Sequence, residues 1–67
     1  MPYVNVKITK ENLSTEQKAE LIEKVTEAVE SVLEPKKRTT IVIIDEVDTD
    51  NWGIMGEQVT KRRLKQK

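Results

Sequence analysis

Pro2 is the residue in this chain best suited to acid–base chemistry. The chain contains no cysteine and no histidine, which excludes thiol and imidazole groups as nucleophiles or bases. Methionine is usually removed from a nascent chain when the next side chain is small, and removal of Met1 leaves Pro2 with a free secondary amine. Burial against apolar groups or nearby cations would lower the pKa of this amine towards neutrality. Pro2 is therefore a candidate general base, with a frayed and inactive terminus as the alternative.

Two further groups are needed for this chemistry, an apolar wall and a cation. Trp52, one of two aromatic residues, is the candidate for desolvating the amine. A lysine or arginine beside the amine would lower its pKa, bind a substrate carboxylate and stabilise an enolate as it forms. The resulting reaction is proton transfer next to a carbonyl group, and we expect it to need neither a metal nor a cofactor.

Four acidic residues lie close together in the second half of the chain, at Asp45, Glu46, Asp48 and Asp50. Such a cluster resembles a calcium loop, but its spacing lacks the glycine and the distal glutamate of an EF-hand. The end of a strand followed by an acidic turn is the better interpretation. We therefore expect no metal site here.

Composition limits both the size of the protein and its partners. The 67 residues predict one domain, residues 1–67, with little apolar surface to bury and no disulfide to stabilise it. Lys plus Arg and Asp plus Glu number 12 each, which argues against nucleic acid as a partner. No apolar run approaches the ~20 residues that span a bilayer. No signal peptide is visible either, so we expect a cytoplasmic protein without membrane contact.

The pattern of apolar residues predicts a strand, a long helix and a second strand. Residues Tyr3–Thr9 alternate between apolar and polar side chains, which is the period of a strand packed on one face. Ser14 and Gln17 have the spacing of a capping box, which predicts a helix over Thr15–Leu33, ended by Pro35. Residues Thr39–Val47 predict a second strand with a continuously apolar centre, buried on both faces.

The fold class is therefore α/β (α+β), built from one βαβ unit with two parallel strands. Gly53 and Gly56 predict a short hairpin after the second strand. The cationic residues 61–67 predict a frayed, solvated tail. Because two strands do not form a stable sheet in water, we expect the chain to build a larger sheet with copies of itself.

These segments together resemble the 4-oxalocrotonate tautomerase family, and most closely its DmpI-like branch. The resemblance covers nearly the whole chain. It lies in Pro2 opening an alternating strand and in three further segments, STEQK at residues 14–18, IIDEV at 43–47 and WGIMGE at 52–57. It implies a βαβ protomer assembled as a homohexamer, a trimer of dimers, with active sites between subunits. It also implies that Pro2 moves a proton of a small enol of a 2-oxo acid and that Trp52 lines the pocket.

The chain departs from the family pattern at the substrate-binding cations. The family places one arginine in the connection after the first strand, where this chain has KENL at residues 10–13. It places another at the start of the second strand, where this chain aligns Ile41. Lys10, Lys37 and Arg38 are the candidates to replace these arginines, and a solvated surface charge is the alternative for each. Lysine also lacks the bidentate fork that matches a carboxylate.

Two hypotheses follow for the function. The first is a cofactor-independent tautomerase that uses Pro2 as general base on 2-hydroxydienoate-type enols. The second is a non-enzymatic oligomeric binding module that retains the fold, and it is motivated by the absence of the two arginines. Removal of Met1 and turnover of a simple enol discriminate between the two.

Overall fold

The computed structural model describes residues 1–33 and 39–66. It contains six regular elements and one 3-10 turn over Thr49–Asn51. In chain order, the elements are β1 Tyr3–Thr9, α1 Thr15–Val32, β2 Ile41–Val47, β3 Gly53–Ile54, β4 Glu57–Gln58 and α2 Val59–Lys65. The predicted strand–helix–strand order is confirmed, and Pro35 lies outside the described residues.

β1 and β2 form a parallel sheet in which Tyr3 lies opposite Ile41 and Thr9 opposite Val47. This parallel pairing is confirmed. β2 begins two residues later than predicted, because the first ladder hydrogen bond is donated by Ile41 N–H to the Pro2 carbonyl (2.9 Å). Thr39 and Thr40 precede that bond and are not part of the strand.

α1 begins where the capping box predicts. The Ser14 side chain accepts a hydrogen bond from Gln17 N–H (3.1 Å), and the Gln17 side chain accepts one from Ser14 N–H (2.9 Å). Both bonds satisfy N–H groups that have no partner within the helix. The helix ends at Val32 with Leu33 as its C-cap, one residue earlier than predicted.

Replacing the capping residue tests this account of the helix start. We expect Ser14→Ala to lower the free energy of unfolding by about 1 kcal/mol per chain, since it removes one cap hydrogen bond. The measurement is denaturant unfolding followed by circular dichroism at a fixed protein concentration. Ser31→Ala is the control, because the Ser31 hydroxyl bonds a carbonyl already inside the helix. Equal losses in the two variants would contradict the role given to Ser14.

One face of the sheet is covered by α1. Leu21, Val25 and Val29 recur every four residues along the helix and are half-buried, as are Val4, Val6, Ile8, Val42 and Ile44 on the strands. Lys18 of α1 pairs with Glu46 of β2 at 2.6 Å, which fixes the helix over the sheet face that carries Glu46.

The other face of the sheet is open and partly apolar. Tyr3 is 60% exposed, Ile41 41% and Ile43 42%, and the register of the strands places them side by side. Among the described residues, Val59 is the only buried apolar residue, and it is still 6% exposed. A chain of this size with so small a core is marginal on its own. In one chain β2 is therefore covered on one face only, and its predicted burial on both faces is not reached within a single chain.

The region after β2 confirms one prediction and corrects another. β3 and β4 form the predicted antiparallel hairpin, whose turn residues Met55 and Gly56 have φ of 52° and 84°. Two positive φ values are typical of a two-residue type I′ turn. The prediction of a frayed tail over residues 61–67 is wrong, because Val59–Lys65 form α2. Lysine, arginine and leucine are good helix formers, and Val59 anchors the helix by burial.

No helix among residues 1–33 and 39–66 is both long enough and apolar enough to cross a bilayer.

Candidate active site

Pro2 lies at the amino end of the parallel sheet and is half-buried. Its carbonyl accepts the hydrogen bond from Ile41 N–H, so the backbone at Pro2 is fixed to the start of β2. Met1, in contrast, is 87% exposed. While Met1 is attached, the Pro2 nitrogen is an amide without a proton or a basic lone pair. Removal of the exposed Met1 would leave a secondary amine on a fixed backbone at the amino end of the sheet.

Lys10 and Trp52 lie at the opposite end of the sheet. Lys10 N–H donates to the Val47 carbonyl at 2.8 Å, immediately after β1. Trp52 follows the 3-10 turn after β2, and its N–H donates to the Thr49 carbonyl at 3.4 Å. Lys10 is exposed and Trp52 is half-buried. The structure therefore places the candidate carboxylate ligand and the candidate pocket wall at one end of the same chain.

Pro2 and these two residues are not brought together within one chain. Lys10 lies eight positions after Pro2 along an extended strand, which corresponds to about 26 Å at the usual rise per residue. A lysine side chain covers only a fraction of that distance. A site that contains Pro2 with Lys10 or Trp52 therefore requires two copies of the chain. Lys37 and Arg38, the other two predicted cations, lie outside the described residues.

The position of Trp52 is fixed by the segment that follows it. Its carbonyl accepts a hydrogen bond from Val59 N–H at 2.8 Å, which joins Trp52 to the first residue of α2. The Thr60 hydroxyl lies 2.5 Å from an Asp50 carboxylate oxygen and 2.6 Å from the Thr49 hydroxyl. α2 is thus tied both to Trp52 itself and to the 3-10 turn that precedes it.

A cluster at the same end of the sheet was not predicted from the sequence. Arg63 of α2 reaches back to the connection after β1, where its Nη2 lies 2.6 Å from Glu11 Oε2 and 3.3 Å from Thr9 Oγ1. The Thr9 hydroxyl also donates to Glu11. Hydrogen bonds from Thr9 and then from Arg63 hold the pKa of the Glu11 carboxyl below its usual value. Asn12, next in the chain, has φ of 59° and turns the backbone after this cluster.

A second polar cluster lies on the open face of the sheet. Asp45 accepts hydrogen bonds from Lys7 Nζ (2.8 Å) and Asn5 Nδ2 (3.1 Å). The bond to Lys7 lowers the pKa of Asp45, and the bond to Asp45 raises the pKa of Lys7. The contribution of Asp45 to stability is therefore present above its ordinary pKa and is lost as the pH falls through the folded value. The contribution of Lys7 is lost only as the pH rises through its own raised pKa.

Three of the four acidic residues that resemble a calcium loop have separate partners. Asp45 bonds Lys7 on the open face, Glu46 pairs with Lys18 of α1, and Asp50 bonds Thr60. Residues 1–33 and 39–66 contain no group of three or more acidic side chains placed to hold a metal ion.

Comparison with known proteins gives a consistent result. The tautomerase enzyme family matches residues 2–62. The chain is 56% identical over 63 residues to a probable tautomerase from Dickeya dadantii, covering 94% of each chain. It is 38% identical to a 2-hydroxymuconate tautomerase from Bacillus subtilis, over 90% of this chain and 95% of that one.

Solved structures extend this likeness to the fold. The crystal structure of DmpI from Helicobacter pylori is 43% identical, with a TM-score of 0.79 over 98% of both chains. A heterohexameric 4-oxalocrotonate tautomerase from Chloroflexus aurantiacus is 27% identical, with a TM-score of 0.76 over 91% of this chain and 97% of that one. The resemblance drawn from the sequence is confirmed. The chain therefore belongs to the tautomerase family of enzymes, within its 4-oxalocrotonate tautomerase group.

Proposed function

We propose that the chain, once Met1 is removed, converts small enols of 2-oxo acids into their keto forms with Pro2 as general base. The observation that supports this most directly is the setting of Pro2, which is half-buried and fixed to Ile41 by a backbone hydrogen bond. A base must be held within hydrogen-bonding distance of the proton that it removes, and a fixed backbone provides this.

In the proposed reaction, the neutral Pro2 amine takes the proton of the enol hydroxyl. The oxygen electron pair forms the carbonyl double bond, and the displaced π electrons of the enol form the new C–H bond at the carbon that is protonated. The proline ammonium then returns its proton to that carbon. The product is an isomer of the substrate, the amine is regenerated, and no oxidant or cofactor enters the balance.

We further propose that the active site is composite and that the functional protein is a homohexamer. Two observations support self-association: the exposed apolar face of the sheet and the distance of about 26 Å along β1 between Pro2 and Lys10. A second copy that brings its carboxyl end to Pro2 would supply Trp52 as the apolar wall. Lys10, Lys37 and Arg38 remain the candidate ligands of the substrate carboxylate.

Turnover of two enols tests the proposed reaction. We expect trimmed protein to accelerate ketonisation of 2-hydroxymuconate and of phenylenolpyruvate, followed by ultraviolet absorbance with the uncatalysed rate subtracted. Trp52→Ala should keep the assembly and lower kcat/KM, because a more hydrated Pro2 amine stays protonated at neutral pH. A folded, trimmed oligomer without turnover of either enol would favour the non-enzymatic binding module instead.

A further inference from the structure

Arg63 belongs to the same corner of the chain as Lys10 and Trp52. Backbone hydrogen bonds join Lys10 to Val47 at the end of β2, and Trp52 to Val59 at the start of α2. The side chain of Arg63 in turn bonds Thr9 and Glu11, the two residues on either side of Lys10. α2 therefore brings the guanidinium of Arg63 to the connection after β1.

The contacts of Arg62 and Arg63 distinguish these two neighbours on α2. They follow Val59 by three and four residues, so both lie near the face of α2 that Val59 buries. Arg62 pairs with Glu57 at 3.8 Å, whereas Arg63 pairs with Glu11 at 2.6 Å. Of the two adjacent arginines, Arg63 is the one directed at the end of β1.

These contacts use only part of the hydrogen-bonding capacity of the Arg63 guanidinium. Among the described residues, both hydrogen bonds of Arg63 run through Nη2, which leaves the N–H groups of Nη1 and Nε for another acceptor. The side chains of Arg63 and Glu11 are 50% and 44% exposed, so the pair is open on one side. An arginine that one carboxylate orients through one nitrogen can present the others to a second carboxylate.

We propose that Arg63 is a carboxylate-binding residue of the active site and that it replaces the arginine absent from the connection after β1. This inference rests on the proposed function. It assigns one carboxylate of the substrate to the guanidinium of Arg63, which Glu11 orients. Without Arg63, the negative charge of Glu11 beside Lys10 would repel a substrate carboxylate.

Three variants separate a ligand from a structural contact. Arg63→Gln removes the charge and the fork, and we expect it to raise the KM for 2-hydroxymuconate about 10- to 100-fold, with a much smaller change in kcat. Arg63→Lys keeps the charge without the fork and should recover part of that loss. Lys61→Gln removes the same charge from the exposed opposite side of α2 and should leave KM unchanged.

Glu11→Gln provides the decisive comparison. It breaks the same ion pair but retains Arg63 and a hydrogen-bonding oxygen. A structural role for the ion pair requires Glu11→Gln and Arg63→Gln to raise KM equally. Ligand binding by Arg63 instead predicts that Glu11→Gln changes KM much less than Arg63→Gln does, because the guanidinium and a hydrogen-bonding oxygen that can orient it both remain.

Binding measured without turnover keeps this test independent of Pro2. We expect the Kd of 2-oxoadipate, measured by titration calorimetry on the trimmed oligomer, to rise in Arg63→Gln and to stay unchanged in Lys61→Gln. The same pattern is expected on a Pro2→Ala background. If the proposed chemistry fails, turnover is absent while this binding difference persists. Equal Kd values for wild type and Arg63→Gln would overturn the role of Arg63, whatever the result for Pro2.

Discussion

Pro2→Ala is expected to lower kcat/KM for 2-hydroxymuconate by about 10²–10⁴-fold, the usual contribution of a positioned general base. Alanine is also small enough for Met1 to be removed, so the variant retains a terminal amine. That amine is primary and lacks the ring that fixes the nitrogen relative to the backbone. The loss should fall on kcat more than on KM, because binding groups at the other end of the sheet are unchanged.

Two properties of this variant must be checked, its assembly and the removal of Met1 from its N-terminus. Intact mass must show that Met1 is absent, and light scattering must give the same oligomer as the wild type. The backbone hydrogen bond from Ile41 to residue 2 does not depend on the side chain, so the fold should be preserved. A trimmed, assembled Pro2→Ala protein with kcat/KM within about threefold of wild type would show that Pro2 contributes under ~1 kcal/mol to catalysis.

Ile43→Lys is expected to dissociate the oligomer and abolish turnover. Ile43 lies at the centre of the open sheet face, 42% exposed, beside Ile41 and close to the Lys7–Asp45 pair. Burying a lysine there on association would cost several kcal/mol per charge. Activity should disappear with the assembly, because Pro2 and Lys10 of one chain lie at opposite ends of β1.

Light scattering, which measures the mass of the assembly, and circular dichroism, which measures folding, together test this prediction. Dissociated chains, whether folded or unfolded, agree with an interface on this face. Glu23→Gln is the matched control, since it changes the net charge by the same amount on the exposed face of α1 and should leave both mass and activity unchanged. An intact, active oligomer of Ile43→Lys would contradict both the interface and the composite site.

Local patterns were sufficient to predict most of the fold. The alternation in β1, the capping box at Ser14 and the glycines of the hairpin each carry a signal within a few residues. α2 was missed because its cations resemble a solvated tail and its start at Gln58 has no side-chain cap. Its helix-forming composition was the available signal.

The candidate site was less accessible from the sequence. Pro2 could be identified by elimination, since the chain has no histidine or cysteine. The opposite locations of Pro2 and Lys10 follow from the extension of β1 between them, and the parallel pairing of β1 with β2 places Trp52 at the Lys10 end. Arg63 and Glu11 are 52 residues apart, and no local pattern indicates that they meet.

The state of the N-terminus gives the most direct test of the central claim. Two preparations of the same sequence are needed, one with Met1 removed and one expressed with methionine aminopeptidase inhibited so that Met1 is retained, each verified by intact mass. We predict turnover of 2-hydroxymuconate by the trimmed protein and only the uncatalysed rate with the Met1-retaining protein, since its Pro2 nitrogen is an amide. Equal turnover by the two preparations would contradict the assignment of Pro2 as the base.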